Sequence, residues 1–130
     1  MRRYLISFIL LAALTVSLMQ GCAGTRKAEQ VKLRAQRVQA TLTDIAEALE
    51  KYQQDKGYFP KGMATLRNAR YLSIMPDLER EWKFEYFTDG GNVMMVEAVS
   101  RSSMPDGSGH RITYRVPSDV WEGYGITEFP

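Results

Sequence analysis

The chain reads as α+β: a long amino-terminal helix packed on a three- to four-stranded antiparallel sheet. Three observations lead there. Over residues 31–60 apolar side chains recur at alternating steps of four and three, at Val31, Ala35, Val38, Leu42, Ile45, Leu49 and Tyr52. That is the period of one continuous helical stripe. Residues 81–87 alternate instead, with Trp82, Phe84 and Tyr86 on one face and Lys83 and Glu85 on the other, the period of a half-buried strand. A turn over residues 88–92 then joins that strand to a second apolar run over residues 93–100, which makes a hairpin. A helix followed by a meander is the α+β order.

Composition fits one globular domain. The chain has 130 residues, 45% hydrophobic and 25% charged, which separates it from disordered chains. Its formal charge is +2, all of it from Arg2 and Arg3; beyond residue 21, basic and acidic residues number 15 each. A nucleic-acid partner needs a surplus of Lys and Arg, so none is expected. One Cys excludes an intramolecular disulfide and one His excludes a His-rich metal site. No cofactor, metal or small-molecule substrate is expected.

Residues 1–21 have the layout of a secretory signal peptide: Met1-Arg2-Arg3, a nearly unbroken apolar run over 4–19, then Gln20-Gly21-Cys22. As a helix, residues 5–19 would reach about 22 Å, short of the roughly 30 Å hydrocarbon core. A cleaved signal is therefore favoured over a permanent span. Arg2-Arg3 has no polar approach before it and is not read as a twin-arginine signal. Leu18-Met19-Gln20-Gly21-Cys22 resembles the lipobox of bacterial lipoproteins. The resemblance implies cleavage between Gly21 and Cys22 and acylation of Cys22. Ala23, in place of an aspartate, implies the outer membrane. Acyl chains contribute about 0.8 kcal/mol per buried methylene, so several hold firmly where one does not.

Residues 22–26 are expected to be a flexible lipidated tether, and residues 27–130 the domain. The helix is expected to start near Lys27, with Thr25 as cap and Glu29 in its first turn. It would then run about 45 Å to Lys56. Gly57 stops it and Pro60 prevents resumption, with Tyr58 or Phe59 folding back over its end. Met63, Leu66 and Ala69 predict a short helix over 63–70, and residues 71–75 form an apolar knot before Pro76. The second strand is apolar enough on both faces to be central. After a loop over 102–109, Ile112, Tyr114 and Val116 are expected inward and Arg111, Thr113 and Arg115 outward. Pro117 ends that strand. The irregular tail is anchored by Trp121 and Tyr124, with a short edge strand around Ile126.

The helix residues 44–52 and the segment Asp55-Lys56-Gly57-Tyr58-Phe59-Pro60 resemble the type IV pilin-like proteins, in particular the major pseudopilin of type II secretion. In that family the helix runs into an aspartate, a glycine, an aromatic and a proline. A run like residues 71–77 and an aromatic strand like residues 82–86 follow. The resemblance covers residues 34–99 and implies a pilin-like head. The chain departs from the family in four places. No glutamate lies within residues 4–19, the cut falls after the apolar run, the family's tight Asp-Pro-Trp-Gly turn is replaced by residues 77–82, and the family's acidic calcium loop has no clear counterpart.

Other candidate sites have plainer readings. The Met104-Pro105-Asp106-Gly107-Ser108-Gly109 loop lacks the carboxylate spacing of an EF-hand and reads as a surface turn. His110 belongs to no nucleophile motif and reads as a strand-edge residue. Asp106, Asp119 and Glu122 could pair as acid and base, but any chain with 15 acids offers such pairs, so catalysis is not expected. Trp121, Tyr124 and Phe129 are core anchors or an aromatic patch for a sugar or partner. Arg34, Arg37, Arg67 and Arg70 suit a solvated face. The expectation is a non-enzymatic, lipid-anchored, periplasm-facing envelope protein that works by contact with other envelope proteins, such as a secretion or pilus apparatus. The alternatives are a minor pseudopilin that keeps residues 4–19 as a helix, and a small ligand-binding lipoprotein that uses the Trp121/Tyr124 end.

Overall fold

An apolar stripe on a helix must be covered, and here an antiparallel sheet covers it. The computed structural model describes residues 2–127, with side chains described from Ala23 onward. The elements in order are α1 (Arg2–Lys56), α2 (Met63–Asn68), α3 (Pro76–Glu81), β1 (Trp82–Asp89), β2 (Asn92–Ser100), β3 (Arg111–Arg115), a 3-10 turn (Val116–Ser118) and β4 (Val120–Gly123).

The chain divides into two units between Leu33 and Arg34. In the first, residues 23–30 are exposed, Val31 is partly buried and Leu33 is 52% exposed. Residues 23–26 are helical, so the flexible tether and the start near Lys27 are corrected. The cause is propensity. Ala23, Arg26, Lys27, Ala28, Glu29 and Gln30 are strong helix formers, and Gly24 costs only about 1 kcal/mol against cheap propagation.

The second unit holds the core. Ala35, Val38, Leu42, Ile45, Leu49 and Tyr52 of α1 are buried and cluster with Trp82, Phe84, Val96, Ala98 and Ile112 of the sheet. Leu66, Leu72, Leu78 and Met104 join the same cluster. Burying each such large side chain contributes about 1.5 to 3 kcal/mol, so this interface dominates stability. The helix ends at Gly57, whose φ of +81° is left-handed and whose N–H donates to the Gln53 carbonyl at 2.8 Å. That is the usual glycine stop. Phe59 packs on the core. Tyr58 stays 62% exposed and meets the Tyr52 ring edge-on at 5.9 Å.

The sheet order is β1-β2-β3-β4, each pair antiparallel. Gly90 and Gly91, both at positive φ, make the two-residue turn between Asp89 and Asn92. The register sets Phe84 beside Ala98 and Ile112, and Tyr86 beside Val96 and Tyr114, which aligns one inner face. On the opposite face Glu85, Glu97, Thr113 and Glu122 form one row across all four strands.

One further expectation is corrected, the edge strand around Ile126, and two features go beyond the sequence reading. The stretch after Pro76 is helical: Pro76 sits in the first turn with Asp77 and Glu79, where a proline starts a helix and acids suit its dipole. The fourth strand is Val120–Gly123, and Ile126 follows it. Its end is fixed by close approach. Gly123 has φ +113°, and a Cβ there would lie 2.1 Å from the Arg111 carbonyl oxygen. That same oxygen accepts the Tyr124 N–H at 2.8 Å. Thr113 is buried although it faces away from the core, because it sits in the middle of the row, between Glu97 and Glu122.

Leu42→Ala is expected to lower unfolding free energy by about 2–5 kcal/mol, read by urea denaturation, while Leu33→Ala changes it by less than about 0.5 kcal/mol. Gly123→Ala is expected to cost about 1–3 kcal/mol through left-handed strain and the clash. The loss should appear as early amide exchange over residues 120–124.

Candidate functional site

The polar side chains that converge from the greatest sequence distance gather around Asp106. Arg34 on α1 donates from Nη1 to Asp106 Oδ2 at 2.9 Å and to the Tyr124 hydroxyl at 3.2 Å. Tyr124 in turn donates its hydroxyl proton to Asp106 Oδ2. The His110 ring lies 4.8 Å from the Tyr124 ring, and its Nε2 is 3.0 Å from the Asp106 carbonyl oxygen. A carbonyl only accepts, so Nε2 carries the proton. Trp82 backs the other side of Tyr124 at 5.9 Å.

The loop that presents Asp106 is folded around one hydroxyl. Ser100 Oγ donates to the Gly107 carbonyl at 2.8 Å and accepts the His110 N–H at 2.9 Å. Met104 is buried beneath it. The loop is thus held from within and by Arg34. Burial, and then the bond to Asp106, push the Tyr124 hydroxyl above its ordinary value, and Arg34 is raised chiefly by its bond to Tyr124. A neutral phenol, a carboxylate and a guanidinium in mutual contact form a closed clamp.

The family-signature residues have structural partners. Asp55 accepts the Tyr71 hydroxyl at 2.8 Å and lies 3.4 Å from Lys51. The Tyr71 bond, then the Lys51 charge, hold its carboxyl below the usual range. Pro60 is buried and its carbonyl accepts the Tyr86 hydroxyl. The segment 55–60 is therefore fastened on both sides of Gly57. The Cys22 side chain and the surroundings of Gly21, and Phe129 altogether, lie outside the described residues.

The arginines do not form one solvated face. Arg34 is only 19% exposed within the clamp. Arg37 pairs with Asp77 at 2.6 Å and Arg67 pairs with Glu79, tying α1 and α2 to α3. Arg70 is exposed at the end of the short helix, with φ +63°. Trp121 stacks on Tyr114 at 4.2 Å, and both it and Tyr124 pack on the core. Asp119 accepts the Tyr114 hydroxyl at 3.2 Å and Glu122 pairs with Arg115 at 3.4 Å. Asp106, Asp119 and Glu122 thus answer to different partners.

On the far face each acid of the row has its own cation. Lys83 holds Glu85 at 2.6 Å, Arg111 holds Glu97 at 2.6 Å, and Arg115 holds Glu122. Glu97 is 4% exposed. Nothing in its alternation marks that burial, and the one signal was Arg111, offset diagonally on the next strand. A cleft of about 650 Å³ lies beside the end of α1, between Glu50, Gln53, Phe59, Met94 and Pro117; Glu50 is the one titratable group in its lining. Among the described residues no group of three or more His, Cys, Asp and Glu could hold a metal ion, and no helix is long and apolar enough to cross a membrane.

Compared with family models, curated proteins and solved structures, the chain matches none.

Tyr124→Phe removes a hydroxyl bonded to two charged groups and is expected to cost about 1.5–3 kcal/mol near neutral pH. The raised tyrosine value means that the folded state holds its proton more tightly. This contribution is complete below about pH 10 and is lost as pH rises through the folded value. Tyr124→Phe should therefore also make the alkaline limb of the stability curve shallower, as followed by urea unfolding from pH 8 to 11.

Proposed function

We propose a lipid-anchored cell-envelope protein whose pilin-like, non-enzymatic head faces the periplasm and acts by contact with other envelope proteins. One observation carries the reading: the chain's sole cysteine ends an apolar run after a small residue, in Leu18-Met19-Gln20-Gly21-Cys22. The kinship of the head rests on the Asp55-to-Pro60 signature together with a helix followed by an antiparallel meander. The converging polar groups are engaged with one another and act as a structural clamp. A secretion or pilus apparatus is the partner class that the resemblance suggests, and Ala23 favours the outer membrane.

The continuity of α1 from Arg2 through residues 22–26 favours a second reading, a minor pseudopilin that keeps residues 4–19 as a membrane or filament helix. The two part at Cys22. Mass spectrometry of the mature protein should find an acylated amino terminus at Cys22, and Cys22→Ser should release the protein from the membrane fraction. An unprocessed terminus, with fractionation unchanged by Cys22→Ser, selects the retained helix.

A further inference from the structure

The structure leaves one strand edge bare beside a basic cleft. β1 lies at the end of the sheet, and among the described residues no backbone hydrogen bond joins residues 83–89 to anything but β2. The outward groups follow from the register. Ser100, opposite Trp82, donates its N–H to His110 O at 2.8 Å and accepts the Gly109 N–H at 3.1 Å, both on the side away from β1. Alternation then turns the N–H and C=O of Phe84 and Tyr86 to the open edge, along with the Trp82 carbonyl. The Trp82 N–H is taken by the Leu78 carbonyl.

Beside this edge run two clefts that share Met63 and Phe84. One, of about 410 Å³, separates residues 60–63 from residues 84–87. The other, of about 270 Å³, continues along Trp82 and Lys83 to Arg67 and Arg101. Trp82 is fully buried, and among the described residues its indole Nε1 meets no acceptor. The linings carry Lys61, Arg67, Lys83 and Arg101 against Glu79 and Glu85. Arg67 and Lys83 are paired with those two acids. Lys61 and Arg101 are exposed and make no ion pair among the described residues.

We propose that the open edge of β1 receives an extended, acidic segment of a partner protein as a fifth strand. Its backbone would bond Phe84, Tyr86 and the Trp82 carbonyl. Alternate apolar side chains would enter the clefts around Met63 and Phe84, and a carboxylate would meet Lys61 or Arg101. Backbone bonding supplies affinity in this mode and the flanking clefts supply selectivity. Long bare edges are normally blunted by charge; here Lys83 and Glu85 neutralise each other and leave the excess positive. The proposal deepens the reading of a protein that works by contact, and its test does not involve the anchor.

The test is amide hydrogen exchange of the full chain in detergent micelles, with and without a synthetic octapeptide that alternates valine with threonine and carries two glutamates. In the free chain Phe84 and Tyr86 are expected to exchange at least about tenfold faster than Lys83 and Glu85. Millimolar peptide is expected to slow them by about tenfold, whereas the same peptide N-methylated at alternate amides leaves them unchanged. Exchanging its glutamates for lysines, or making Lys61→Glu with Arg101→Glu at these exposed positions, should weaken binding about tenfold. Three results would overturn the proposal: no response to the peptide, protection in the free chain at all concentrations, which places the chain's own segment on the edge, or protection that grows with protein concentration, which places a second copy there. Loss of acylation at Cys22 moves none of these readouts.

Discussion

The burial of one helical seam under one sheet face is what the rest of this structure depends on. The four-three spacing of Ala35, Val38, Leu42, Ile45, Leu49 and Tyr52 defines one continuous stripe. The inner face of the sheet has matching width because alternation puts Trp82, Phe84, Val96, Ala98 and Ile112 side by side in register. The connecting segment adds leucines to this cluster and little independent core of its own. Ion pairs such as Arg37 with Asp77 stand on the exposed side, where solvent screening leaves them little weight.

Polar order is laid over that apolar frame in two ways. The far face of the sheet gives each of its acids a cation on its own or an adjacent strand, which offsets the like-charge contact of Glu85 with Glu97 directly opposite it. The clamp around Asp106 works over longer range. It ties α1 to the loop before β3 and to the tail after β4 through three atoms in mutual contact. Both arrangements consume the hydrogen-bonding capacity of their members. Among the described residues, backbone at the β1 edge and the Lys61 and Arg101 charges beside it stay outside these arrangements.

Much of the fold was legible because it rests on local periods. The helix, its stop at Gly57, the first strand and the Gly90-Gly91 hairpin each announce themselves within ten or so residues. What the sequence left hidden shares a cause: a residue whose meaning depends on position. Pro76 marks only the end of an apolar knot in the sequence, yet it opens α3. Thr113 reads as outward and is outward, but lies in the centre of a packed row. The fourth strand stops at Gly123 because of the Arg111 carbonyl, a neighbour twelve positions away that no alternation reveals. The clamp was illegible for the same reason. Arg34, Asp106, His110 and Tyr124 were each noted separately, but no local pattern joins positions 72 and 90 apart.

Those separations have a consequence for the order of assembly. Arg34 leaves the ribosome early, while both of its partners belong to the last quarter of the chain. Contacts of such long span close late, since their loop entropy must be met before they can contribute. The domain therefore stays unlatched until nearly its whole length is available.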